Sequence, residues 1–176
     1  MEIEKMRSLL VEIYTLTSRS DLNREYYGRM LAYYQRLSIW LDTAIAVGTT
    51  GSGVSALTIW DTAYGAFVWG VLSTVSAVLA LSKPIFQLNK QVERLSKLFA
   101  GHATNYATLV QLASRIRRRE EISDEMIATF EAAEAKFVEL SQDDDPSPNM
   151  ALATKCETIV RKRHPPESAW YPTATR

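Results

Sequence analysis

Near the N-terminus Ile3, Met6, Leu10, Ile13 and Leu16 recur at spacings of three and four, which predicts an amphipathic helix with one apolar stripe. A polar run, Ser18-Arg19-Ser20-Asp21, interrupts the stripe, and Asp21 stands where it would cap a second helix, LNREYYGRMLAYYQRL. From Leu37 to Ser82 the pattern changes, because no basic residue and only two acids, Asp42 and Asp61, occur there. Crossing a bilayer takes roughly 20 predominantly apolar residues. Two such segments, about 38–60 and 63–82, meet at Trp60-Asp61-Thr62, so the stretch predicts a membrane hairpin. Trp40, Trp60, Trp69 and Tyr64 fall near the interfaces of such a hairpin. The alternative is an ordinary buried hairpin, since Ser, Thr and Gly keep both segments only moderately hydrophobic.

Beyond Pro84 the residues Leu88, Val92, Leu95, Phe99, His102, Tyr106, Leu109, Ala113 and Ile116 alternate spacings of four and three, the seam of a coiled coil or long bundle helix. That helix should end near Arg119. Ser123-Asp124-Glu125 then opens another, whose stripe of Met126, Phe130, Ala133, Phe137 and Leu140 packs back on the seam. The run 142–149 (QDDDPSPN) is a linker by charge and proline content, a short helix spans Met150 to Arg163, and a tail follows His164-Pro165-Pro166. The fold class expected is therefore all-α: N-terminal amphipathic helices over 1–36, a two-helix transmembrane hairpin over 37–82, a helical hairpin or coiled coil over 83–141, and a linker, short helix and tail over 142–176. A sustained seam also predicts a homo-oligomer.

Twenty basic and twenty acidic residues cancel, which argues against wholesale binding of a nucleic-acid duplex. The mean hydropathy of −0.12 averages an apolar middle with charged ends. A single cysteine, Cys156, excludes an intramolecular disulfide and any cysteine-based zinc site. The opening MEIEKMRSLL lacks the basic start of a cleavable signal peptide. Arg19, Arg24, Arg29 and Arg36 precede the hairpin and Lys83, Lys90, Arg94 and Lys97 follow it, so the positive-inside rule expects both termini to be cytoplasmic.

Candidate chemistry is sparse. Neither His102 nor His164 has an acid or cysteine at metal-ligand spacing, so no metal and no cofactor is expected, and nothing supports catalysis. The run Gly48-Thr49-Thr50-Gly51-Ser52-Gly53 lacks the Lys-Ser/Thr of a phosphate cradle. Small residues at Ala44, Gly48, Ser52 and Ala56, and at Ala66, Gly70, Ser73, Ala77 and Ala80, would let helices approach closely in lipid. Asp42 is the ionisable group inside a segment, either paired with Arg36 or Lys83 or set at the mouth of a pore. On the pore reading Asp42, Thr49 and Ser52 line the path, while Gly48, Gly51, Ala56 and Gly70 pack helices. Of two basic clusters, Arg115, Arg117, Arg118 and Arg119 either complement a helix C-terminus or bind an anionic ligand or membrane lipid, and Arg161, Lys162 and Arg163 are a second candidate contact for an anionic regulator.

The juxtamembrane YYGRMLAYYQRLSIWLD, the small-residue GSGVSALTIW, the short turn, the second segment and the long helix after it resemble the SLATT family over roughly Arg24 to Arg119. That family comprises two-helix membrane proteins of bacterial conflict systems. The resemblance implies an inner-membrane effector forming an oligomeric ion-conducting pore in an anti-phage system, gated by a nucleotidyltransferase-type sensor or an oligonucleotide signal. The other expectations are a non-conducting, membrane-anchored coiled-coil scaffold or a soluble helical binding domain.

Overall fold

The computed structural model describes residues 2–50, 64, 65, 67, 70, 71, 74–79, 87–119 and 121–169. The fold is all-α, with no strand among the described residues. Helix α1 runs Glu2–Thr50, α2 Leu88–Arg119, α3 Asp124–Ser141 and α4 Met150–Arg163, followed by a 3-10 turn at Pro166–Ser168. The chain divides into two compact units. One joins Met1–Arg29 to Leu95–Arg176, and the other is Met30–Arg94.

The first unit is a bundle around one apolar core. Met6, Leu10 and Ile13 of α1, Leu109, Leu112 and Ile116 of α2, and Met126, Phe130 and Ala133 of α3 pack together and are buried. Each large side chain removed from water contributes about 1.5–3 kcal/mol, so these three stripes supply the main drive for assembly. The stripe expected of α3 holds, with Met126, Phe130, Ala133 and Leu140 buried and Phe137 packed beside them.

Two local expectations are corrected. The polar run Ser18 to Asp21 does not break the helix, and Asp21 caps nothing: α1 is continuous through it. Ser20, Asp21 and Tyr27 continue the buried face of Met6 and Ile13, so packing overrides the turn preference of Ser and Asp once their polar atoms find partners. In α2 the buried positions are Leu88, Leu95, Leu98, His102, Asn105, Leu109, Leu112 and Ile116. One track of the expected seam is correct, but the second runs through Leu98, Asn105 and Leu112 instead of Phe99, Tyr106 and Ala113. Asn105 is retained inside because its side-chain amide donates to Ser20 Oγ at 3.3 Å. This part of the seam is consumed within the chain's own bundle.

Two glycines permit close packing there. A Cβ on Gly101 would sit 2.5 Å from Leu140 Cδ2, and one on Gly28 3.1 Å from the Phe99 ring. Helix α4 starts at an extended Asn149, whose side chain accepts from Leu152 N–H at 3.1 Å. Its backbone N–H donates to Tyr26 Oη at 3.0 Å, tying the start of α4 to α1.

The second unit contains the remainder of α1 and helical residues between 64 and 79. Ser76, itself buried, donates to the Ala44 carbonyl at 3.4 Å, which brings the two helical stretches together. Yet Ile39, Val71, Val75 and Val78 are exposed, Trp40 and Phe67 at 75% and 70%. No helix among the described residues is long and apolar enough to cross a membrane. The membrane, transmembrane and ion-channel assignments and the inner-membrane location with both termini cytoplasmic are corrected accordingly; of the hairpin expected over 37–82, residues 51–63 and 80–82, with the join Trp60-Asp61-Thr62, lie outside the described residues. The physical reason lies in the last turns of α1, where Gln35, Arg36, Ser38, Asp42 and Thr43 interleave with the apolar residues and hold hydropathy down.

Candidate functional site

The polar centre of the bundle is Asp21, fully buried on α1. A buried carboxylate is tolerated only with several donors around it. Arg163 Nη1, at the end of α4, spans both carboxylate oxygens at 3.0 and 2.8 Å, Arg24 reaches Oδ1 at 2.6 Å, and His164 Nε2–H donates to Oδ2 at 3.0 Å. Arg163 also meets Glu25 at 3.3 Å, and Glu25 accepts from Arg29 at 2.9 Å. Partial burial raises the Glu25 carboxyl, but the two arginines outweigh it and hold it below the ordinary range; Asp21 and Glu25 together push Arg163 up.

His164 is fixed from further sides. Tyr14 donates to its backbone carbonyl at 2.6 Å, and its ring meets Tyr106 edge-on at 5.8 Å. Arg24 in turn lies over the Tyr106 ring, 4.4 Å from the centroid. The result is a lock joining α1, α2 and α4.

A second buried cluster surrounds His102. Its ring stacks on Tyr27 with centroids 5.8 Å apart and meets Phe137 edge-on at 5.6 Å. Nε2 lies 3.4 Å from the Asn23 side-chain nitrogen and 3.9 Å from Asp144 Oδ1, while Nδ1 has no hydrogen-bond partner among the described residues. Tyr27 donates to Asp144 at 2.7 Å and accepts from Asp145 N–H at 3.3 Å, fastening the α3–α4 connection to α1. Burial and the neighbouring Asp144 push the Tyr27 hydroxyl well above its usual range. Burial also raises Asp144, but the nearby His102 ring and the hydrogen bond from Tyr27 prevail and lower it.

The residues of the two expected basic clusters take different surroundings. Arg163 belongs to the Asp21 lock, Arg161 pairs with Glu157 at 2.8 Å, and Lys162 is exposed. Arg117 points into a groove of about 270 Å³ that His164 also lines. Arg115, Arg118 and Arg119 line a separate groove of about 530 Å³ with Glu125, Met126 and Thr129 of α3. Asp42 is exposed on α1, Gly48 and Thr49 lie in the backbone of its last turn, and Gly51, Ser52 and Ala56 lie outside the described residues. A Cβ added at Gly70 meets nothing within 4 Å among them. No group of three or more His, Cys, Asp or Glu able to hold a metal occurs among the described residues.

Sequence reasoning missed Asp21, Tyr14, Tyr27 and Asp144. The signal for α1 was present in the sevenfold spacing Met6, Ile13, Ser20, Tyr27, which runs through the apparent break. No family model matches the chain, and no curated protein or solved structure is significantly similar to it. The SLATT resemblance therefore rests on the sequence pattern alone.

Proposed function

We propose that the protein is a non-enzymatic helical scaffold that assembles with further copies of itself. The observation that carries this reading is the apolar face of the second unit. Ile39, Trp40, Tyr64, Phe67, Val71, Val75 and Val78 are exposed on that one unit in a single chain, and a large apolar surface left exposed marks an association site. Large aromatic side chains are the residue types that anchor such contacts. The bundle's own stripes are already used internally, so assembly falls to the other unit. Sedimentation of the purified protein tests the idea: the native chain should sediment as an oligomer, and Trp40→Glu with Phe67→Glu should yield monomers of unchanged helicity. A native chain that is monomeric at tens of micromolar would sink it.

A second reading concerns regulation. Arg115, Arg118 and Arg119 converge on one groove, and none of the three has an acidic partner among the described residues. Such a groove suits an anionic regulator, of which an oligonucleotide signal is the kind the family resemblance implies. Fluorescence anisotropy with a labelled short oligoribonucleotide should report binding that Arg115→Glu with Arg118→Glu abolishes. Equal anisotropy change in the variant would dismiss this reading.

A further inference from the structure

The groove beside His164 combines an apolar floor with cationic and hydroxyl groups at its edge. Leu10, Ile13, Val110 and Ala113 supply the floor, and Ser114 and Arg117 from α2 stand with Tyr14 and His164 around it. Three observations give it a ligand chemistry. Arg117 is exposed and has no ion-pair or hydrogen-bond partner among the described residues, unlike Arg24 and Arg163 beneath it. His164 directs Nε2–H at Asp21, which leaves Nδ1 without a hydrogen-bond partner among the described residues and not among the buried unpaired atoms. Val110 is exposed inside the groove, an apolar contact left for something else to cover. A mainly apolar cleft with a few convergent polar groups is the ordinary form of a small-molecule site.

We propose that this groove binds a small organic acid, its apolar body on Ile13 and Val110 and its carboxylate on Arg117, with Tyr14 and His164 held in place by the Asp21 lock. At about 30 Å³ per water, the volume equals roughly nine waters. That suits an acid of about ten non-hydrogen atoms. A carboxylate is favoured over a neutral head because the guanidinium offers it a charge-assisted, bidentate pairing. The site is separate from the groove of Arg115, Arg118 and Arg119 and does not depend on self-assembly.

Titration calorimetry of the full chain with octanoate, octanamide and acetate tests the proposal. Octanoate should bind, and octanamide, which lacks the charge, and acetate, which lacks the body, should each bind at least about tenfold more weakly. Arg117→Gln should reduce octanoate binding to the octanamide level, Val110→Trp should block the groove with Arg117 intact, and Lys155→Gln, on the exposed face of α4, should change nothing. Equal binding of octanoate and octanamide, octanoate binding undiminished by Arg117→Gln, or no heat with octanoate at millimolar concentration would each overturn it.

Discussion

Asp21 takes hydrogen bonds from Arg163, Arg24 and His164, and no water-facing surface remains to it. Replacing it by Asn keeps the volume but removes the charge against which two guanidiniums are set. Breaking a fully buried pair costs about 3–5 kcal/mol; because Arg24 and Arg163 are partly exposed and can rehydrate, Asp21→Asn should cost about 2–4 kcal/mol in urea unfolding. A loss under 1 kcal/mol would show the lock to be decorative. Asp144 gives a dependence on pH with a definite sign. Its carboxyl titrates lower in the folded chain than in the unfolded one, so its contribution is present at neutral pH and is lost as pH falls through the depressed value, below about pH 4. The urea midpoint of Asp144→Asn should accordingly fall less between pH 7 and pH 3.5 than that of the native chain. Tyr27→Phe removes the bond to Asp144 and the acceptor for Asp145, at about 1 kcal/mol, and should speed proteolysis within 142–149.

At the scale of the helices, the α2–α3 contact turns on Gly101. Alanine there must displace Leu140, which is buried and cannot swing into solvent without losing its own packing. Gly101→Ala should destabilise by about 1–2 kcal/mol despite its better helix propensity, and the cost should shrink in the background of Leu140→Ala, as a double-mutant cycle would report. Helices α3 and α4 are readable from sequence because the apolar spacing and the acids Asp124 and Glu125 that open α3, and the basic run Arg161 to Arg163 that closes α4, agree with the tertiary structure. Helix α1 is less so. Its Ser18-Arg19-Ser20-Asp21 obeys the local rules of a helix start, and only the partners of Ser20 and Asp21 on other helices make it a buried helical turn. The same holds for α2, where Asn105 looks like a surface residue until Ser20 is found opposite. Local spacing reports which side chains share a face; it carries no information on which distant donor meets a buried acceptor.

For the whole molecule, the two units differ in what they leave unfinished. The bundle satisfies most of its buried polar atoms, with Ser18 Oγ, His102 Nδ1 and Ser123 Oγ as exceptions. The other unit carries the apolar excess, and the oligomer expected from it should dissociate as aromatic residues there are made polar. Cys156 offers an independent check on the bundle. Burial raises its thiol and shields it, so labelling by a thiol reagent should be slow in the native chain and accelerate when Asp21→Asn loosens α4.

The Asp21 lock closes across 142 residues of sequence, between the first helix and the last. During synthesis the N-terminal stripe and its acid therefore exist long before Arg163 and His164 do. Contacts of that span are formed late, after the entropy of closing the intervening chain has been met. Until α4 has been made, α1 exposes an apolar stripe whose carboxylate has Arg24 of the same helix but neither Arg163 nor His164, a combination that resists burial against a wrong partner because a carboxylate desolvated with too few donors is costly. The acid that fastens the finished bundle thus doubles as a guard on the growing chain.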